Sequence, residues 1–128
     1  MNILGIGVDI IENKRIKKFI KNKKFIERLY SKNEIRLSKN KNDKINFFAK
    51  RYAAKESFSK SIGLGFRNNL NFKDIEVLND KLGKPYYKSN KKMSNIILKR
   101  YGIKKYNLLL SISDEKDYSI AFAILQKI

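Results

Sequence analysis

Two segments of this chain carry acidic residues where a fold would not by itself place them: Gly5-Ile6-Gly7-Val8-Asp9-Ile10 and Arg51-Tyr52-Ala53-Ala54-Lys55-Glu56-Ser57-Phe58-Ser59-Lys60. The first is an apolar strand pattern interrupted by one carboxylate, Asp9. The second is a helix pattern that sets Glu56 among the lysines Lys55 and Lys60. A carboxylate from each of two packed elements is the minimum protein contribution to a Mg²⁺ site that substrate phosphates complete. That combination points to phosphoryl-type chemistry. Each acid also has a plainer reading: Asp9 as an edge or backbone-satisfied position, and Glu56 as part of a solvated helix face.

The elements that must position these acids follow from periodicity. Residues 2–12 run apolar at Ile3, Leu4, Ile6, Val8, Ile10 and Ile11 and read as a buried strand. Asn13 suits the N-cap of a short basic helix carrying Ile16, Phe19 and Ile20. Phe25, Ile26 and Leu29 mark a second apolar face, and Ser31 with Glu34 fits a capping box opening a further helix. The spacing predicts a long helix over 43–62 with an apolar stripe through Ile45, Phe48, Ala49, Tyr52, Ala53 and Ser59, stopped by Gly63. On it Tyr52, Glu56 and Lys60 stand four residues apart, so Glu56 and Lys60 project from one side. A strand is expected over 74–79, a turn at 80–85 leading into Tyr86 and Tyr87, and a helix through Met93, Ile96, Ile97 and Arg100 that ends near Gly102. Two final strands, 106–113 and 118–126, flank Asp114-Glu115-Lys116-Asp117. The pattern predicts a single α+β domain spanning 1–128, an antiparallel sheet packed with the long helix.

Composition narrows the chemistry. The 128 residues include no cysteine and no histidine, so disulfides, thiolate metal sites and the commonest general base are excluded. Acid–base work falls to Asp, Glu, Lys, Tyr or water. No run approaches the roughly 18–20 apolar residues of a membrane span and no signal peptide pattern opens the chain, which reads as cytoplasmic and without a membrane partner. The formal charge of +18 invites a nucleic-acid reading. It is built from 24 Lys and 6 Arg beside 14 Asn and 18 Ile, a balance typical of A/T-rich coding and poor in the Arg that nucleic-acid surfaces favour. The charge concentrates in residues 13–44, where 13 basic and 3 acidic side chains leave a local +10 that attracts an acidic partner.

Gly5-Ile6-Gly7 lacks the third glycine of a dinucleotide fingerprint and Gly63-Leu64-Gly65 lacks the Gly-Lys-Ser/Thr of a Walker loop, so each reads as tight packing or a turn. Taken together, other residues say more. The opening Gly5 to Glu12 with Arg15-Ile16, the helical block Phe47 to Gly63, Asp74-Ile75-Glu76-Val77, Gly83-Lys84-Pro85 and the Ser111-Ile112-Ser113 hairpin resemble the holo-acyl-carrier-protein synthases in order and spacing, across essentially the whole chain.

That resemblance implies a 4′-phosphopantetheinyl transferase-like fold. It also implies transfer of 4′-phosphopantetheine from coenzyme A to a serine of an acyl carrier protein, in fatty acid biosynthesis. Asp9 and Glu56 would bind Mg²⁺, and Lys60 would lie against phosphate oxygens. Arg51, Gly63 and Gly65 would join Lys60 in holding coenzyme A. Arg15 and Lys18 would dock the acidic carrier protein, and the chain would form a homotrimer with active sites between subunits. Family members often carry His where Asp114 stands, so Asp114 and Glu56 are the two candidates for the base. The alternative class is a small basic nucleic-acid- or ribosome-binding module, which explains the charge but not a carboxylate in each motif.

Overall fold

The computed structural model describes residues 2–63 and 70–128. Its centre is the joint between the first strand, β1 (Asn2–Glu12), and the fourth and longest helix, α4 (Lys44–Ile62). A β-carbon built on Gly5 would lie 1.8 Å from the carbonyl oxygen of Ser61, and one on Gly7 1.9 Å from that of Ser57. The strand's main chain therefore rests directly on the helix main chain. The Gly-Ile-Gly sequence is a packing device, in line with the plain reading of it.

β1 pairs antiparallel with β5 (Tyr118–Lys127), which pairs antiparallel with β4 (Tyr106–Asp114), giving the order β1-β5-β4. Alternation decides what each face does. Gly5, Gly7, Asp9 and Ile11 turn toward α4, where the small Ala121 and Ala123 of β5 are buried with them. Ile6, Val8 and Ile10 turn away and are 59, 50 and 60% exposed. In register they stand opposite Ile124, Phe122 and Ile120, and Leu109 of β4 extends the same apolar outer face.

Three short helices, α1 (Asn13–Phe19), α2 (Lys23–Leu29) and α3 (Lys32–Ser38), lead from β1 to α4. The capping box on α3 forms as expected: Ser31 Oγ accepts from the Glu34 amide at 3.1 Å and Glu34 Oε1 from the Ser31 amide at 2.9 Å. Asn13 is not a cap. Glu12 holds the N-cap position of α1, and Asn13 is a buried helical residue whose side chain faces the β4–β5 turn.

α4 departs from the expected single stripe, because it is buried around most of its circumference. Asp43 caps its start by accepting from the Asn46 amide at 2.9 Å, and Gly63 ends it in the left-handed conformation at φ 79. The expected strand over 74–79 shrinks to β2 (Val77–Asn79), paired with β3 (Pro85–Tyr87). The reason is specific. Phe72–Asp74 form a 3₁₀ turn, and Lys55 Nζ takes the carbonyls of Phe72 and Ile75 at 2.9 and 2.6 Å, so these groups are not free for a ladder. α5 (Lys91–Tyr101) packs beside the end of α4, where Tyr101 Oη reaches the Ser61 carbonyl at 3.4 Å. Among the described residues no helix is long and apolar enough to cross a membrane.

Candidate active site

Asp9 points to α4 because strand alternation puts it on the same face as Gly5 and Gly7, one step beyond the backbone contact. Glu56 and Lys60 lie one turn apart on the helix surface that this strand crosses. Lys60 Nζ closes the arrangement, donating to Asp9 Oδ1 at 3.1 Å and to the Val8 carbonyl at 3.0 Å. Asp9, Glu56 and Lys60 thus meet in one place.

The electrostatics show how close the two acids are. Burial first and the Asp9 charge second push the Glu56 carboxyl above the usual carboxylate range, against the opposing effects of a Tyr52 hydrogen bond and the Lys60 ammonium. Two like charges held together in a half-buried setting favour either a shared proton or a cation. Tyr52, one turn before Glu56, donates its hydroxyl to that carboxylate. Burial, Glu56 and Asp9 raise the phenol, while Arg15 on α1 pulls it the other way. Arg15 and Lys18 are exposed on α1, so the basic helix runs beside the acid pair. The i, i+4 spacing of Tyr52, Glu56 and Lys60 is visible in the sequence, but a site role for Tyr52 emerges only from the structure.

The donor set suits a hard divalent cation. Both acids supply oxygen only, and among the described residues no cluster of three or more His, Cys, Asp and Glu side chains occurs. Two carboxylates leave the remaining positions to water and substrate oxygens, as Mg²⁺ prefers.

Other expected site residues stand elsewhere. Gly63 ends α4 one turn past Lys60, with its amide donating to the Ser59 carbonyl at 3.1 Å. Gly65 lies outside the described residues. Arg51 is not on a surface: it is 4% exposed, its guanidinium carbon is 3.7 Å from the Phe47 ring centroid, and Nη2 donates to Asn79 Oδ1 at 2.7 Å. Its Nε sits 3.9 Å from Glu34 Oε2. Asp114, at the end of β4, accepts from Asn46 Nδ2 at 2.7 Å near the start of α4. Asn46 precedes Glu56 by ten residues, a rise of about 15 Å along the helix. One chain therefore does not bring Asp114 or Arg51 to the acid pair. Instead the two share a small cavity of about 120 Å³ with Lys50, Asn79 and Gly83. The cause is that Asp114, at the end of β4, meets α4 near its start, while Arg51 turns from the helix toward Asn79 and Glu34.

The largest surprise is a fully buried ion pair. Lys55 Nζ donates to Glu34 Oε1 at 2.7 Å, both side chains 0% exposed. Burial lowers the Lys55 ammonium from its usual value, with Glu34 opposing. Glu34 Oε2 also accepts from the Val77 amide at 3.2 Å, and Glu76 accepts from Ser31 Oγ. In the sequence, Lys55 reads as a charged flank and Glu34 as part of a cap. Nothing in the local pattern distinguishes them from solvated residues.

Comparison with known proteins gives a consistent answer. The family model described as the 4′-phosphopantetheinyl transferase superfamily matches residues 5–123. A holo-[acyl-carrier-protein] synthase of Pelagibacter ubique is 59% identical over 127 residues, covering 99% of each chain. The crystal structure of holo-[acyl-carrier-protein] synthase from Neisseria meningitidis superposes with a TM-score of 0.87 at 36% identity, covering 98% of this chain and 100% of that one. A holo-(acyl-carrier-protein) synthase from Bacillus anthracis, solved in complex with CoA (3′,5′-ADP), gives a TM-score of 0.82 at 36% identity over 98% of each chain. With these matches across its length, the chain belongs to the 4′-phosphopantetheinyl transferase superfamily, as an enzyme of the holo-[acyl-carrier-protein] synthase type.

Proposed function

We propose that this chain transfers 4′-phosphopantetheine from coenzyme A to a serine of an acidic acyl carrier protein, in the cytoplasm and in support of fatty acid synthesis, with Mg²⁺ held by Asp9 and Glu56. The single observation that carries the reading is the meeting of Asp9, Glu56 and Lys60 at the β1–α4 crossing. In the reaction the serine oxygen forms a bond to the phosphorus that bears pantetheine. The bond from that phosphorus to the bridging oxygen breaks, and adenosine 3′,5′-bisphosphate departs with the electron pair. When bound, Mg²⁺ supplies neutralisation of the pyrophosphate charge.

The rest falls to the chain's own residues. Lys60 supplies a cation beside the acids, placed to donate a hydrogen bond to the leaving phosphate in exchange for the one it now gives Asp9. Glu56, beside Asp9 and Lys60, is one candidate to draw off the serine proton, through water at the site. Asp114 is the second candidate for that role. Arg15 and Lys18 attract the acidic carrier along α1, close to the acids through Arg15 and Tyr52.

The separation of Asp114 and Arg51 from the acid pair supports assembly. The outer sheet face exposes Ile6, Val8, Ile10, Phe122 and Leu109 in adjacent rows, an area that a solitary chain would have to leave wet. Copies packed on this face, three by the family resemblance, would set the cavity around Lys50, Arg51 and Asp114 of one subunit across from the acids of the next. Coenzyme A would then span two half-sites. The test is incubation with apo carrier protein, coenzyme A and Mg²⁺, read by mass spectrometry. A phosphopantetheine adduct on the carrier serine is expected; its absence with several carriers overturns the proposal.

A further inference from the structure

We propose that Asn13 is a positioning residue for carrier docking: it locks the first turn of α1 to the β4–β5 turn and so fixes the direction in which Arg15 and Lys18 are presented. The inference rests on the reading of α1 as the docking helix.

Asn13 is 6% exposed in a strongly basic segment, the one polar residue of α1 buried beside the apolar Ile16. Every polar group of the residue that faces the β4–β5 connection is used. Its amide nitrogen Nδ2 donates to the carbonyls of Glu115 and Lys116 at 3.3 and 3.1 Å. Its Oδ1 accepts from Ser119 Oγ at 2.8 Å, and Ser119 is wholly buried. Its backbone N–H donates to the Asp117 carbonyl at 2.7 Å. One side chain therefore donates twice and accepts once across more than a hundred residues of sequence. Only a carboxamide does that: a carboxylate cannot donate, and a hydroxyl is too short and has one proton.

The position of these bonds says what they are for. The β1–β5 ladder already runs to Glu12 opposite Tyr118, so the fold is pinned up to the residue before Asn13. α1 itself is seven residues long, too short to hold its own direction in water. Glu12, at its N-cap, makes no side-chain capping bond. What the carboxamide adds beyond the ladder is the heading of α1 as it leaves the sheet. On the next turn of that helix, Arg15 and Lys18 are exposed.

The experiment compares wild type, Asn13→Ala, Asn13→Asp and Ser119→Ala in steady-state transfer, varying apo carrier protein and coenzyme A separately, with amide hydrogen exchange on the same proteins. For Asn13→Ala and Asn13→Asp the KM for carrier is expected to rise about tenfold, the worth of one well-made hydrogen bond, with the KM for coenzyme A unchanged. Exchange should quicken across residues 13–19 while β1 and β5 stay protected. Ser119→Ala, which leaves both Nδ2 bonds in place, should show the same split more weakly, and it carries the test if the Asn13 variants do not fold. An unchanged KM for carrier overturns the inference. So does a rise in both KM values together with lost protection in the sheet, which marks general loosening. If wild type makes no adduct, the transferase reading fails on that control and the docking role of Asn13 falls with it.

Discussion

Lys60 Nζ lies 3.1 Å from Asp9 Oδ1, so an ammonium occupies the carboxylate that a divalent cation would need. The lysine both prepares the site and competes for it. Removing it leaves Asp9 and Glu56 facing each other without a counter-charge, which strengthens the local negative potential. Lys60→Met is therefore expected to bind Mg²⁺ more tightly in calorimetry yet to transfer phosphopantetheine about a hundredfold more slowly, since the cation at the leaving group is gone. Asp9→Asn and Glu56→Gln are expected to lose transfer by a similar factor or more, to lose the calorimetric Mg²⁺ signal, and to keep the wild-type circular dichroism spectrum. Unchanged metal affinity in all three variants would contradict the assignment.

The folded chain holds a proton on Glu56 more tightly than an unfolded chain does. The native state then binds more protons than the unfolded one, and stability falls as pH rises. The loss begins in the ordinary carboxylate range and is complete once pH passes the raised value of Glu56 itself. Without metal, Glu56→Gln should therefore melt above wild type at neutral pH, and the difference should vanish toward acid pH. Added Mg²⁺ should raise the wild-type melting temperature alone. Thermal scans with a chelator and with Mg²⁺ decide the matter, and equal slopes with pH for the two proteins would count against it.

Lys55 and Glu34 form a pair with no exposure at all, in which the lysine also ties down the carbonyls of Phe72 and Ile75. Removing one partner strands a buried charge, at about 3–5 kcal/mol. Lys55→Met and Glu34→Leu should each lower stability by that order in denaturant titrations. The double variant Lys55→Met with Glu34→Leu should be less damaging than the sum of its parts. Simple additivity would show that the pair is not coupled.

Two half-sites held apart in one chain make a prediction about mixtures. Glu56→Gln breaks the acid half and Asp114→Ala the other, so each protein alone should be inactive or nearly so. Mixed after unfolding and refolding together, they should regain part of the wild-type rate, because some interfaces combine two intact halves. Val8→Lys, which puts a charge in the middle of the exposed sheet face, should yield monomers by light scattering and abolish recovery. Activity in a monomeric Val8→Lys protein would remove the case for assembly.

Much of this was legible in the sequence where the signal is local. β1, α4, α5, β4 and β5 follow from period and stop residues, and the Ser31–Glu34 box from its spacing. Asp9, Glu56 and Lys60 were legible because each interrupts or repeats a regular pattern. What escaped depends on distant partners. Asn13 has the composition of a cap but finds carbonyls 102 and 103 residues away. Lys55 and Arg51 look like solvated charges until Glu34, Asn79 and the Phe72–Ile75 carbonyls are folded around them. Asp114 and Glu56 are both candidates for the base by resemblance, but Asp114 meets α4 near its start, well before Glu56. Periodicity describes faces, and it is blind to which remote group a charged side chain meets.

At Gly5 and Gly7, β1 and α4 touch main chain to main chain, with no side chain between them. The gap between the two acids is thus inherited from a joint that carries no interchangeable part. The spacing of the jaws is set by this contact rather than by the side chains of core residues around it, such as Phe58 or Leu125. A single methyl group added at Gly7, by contrast, would meet the Ser57 carbonyl and pry the jaws apart at the joint itself.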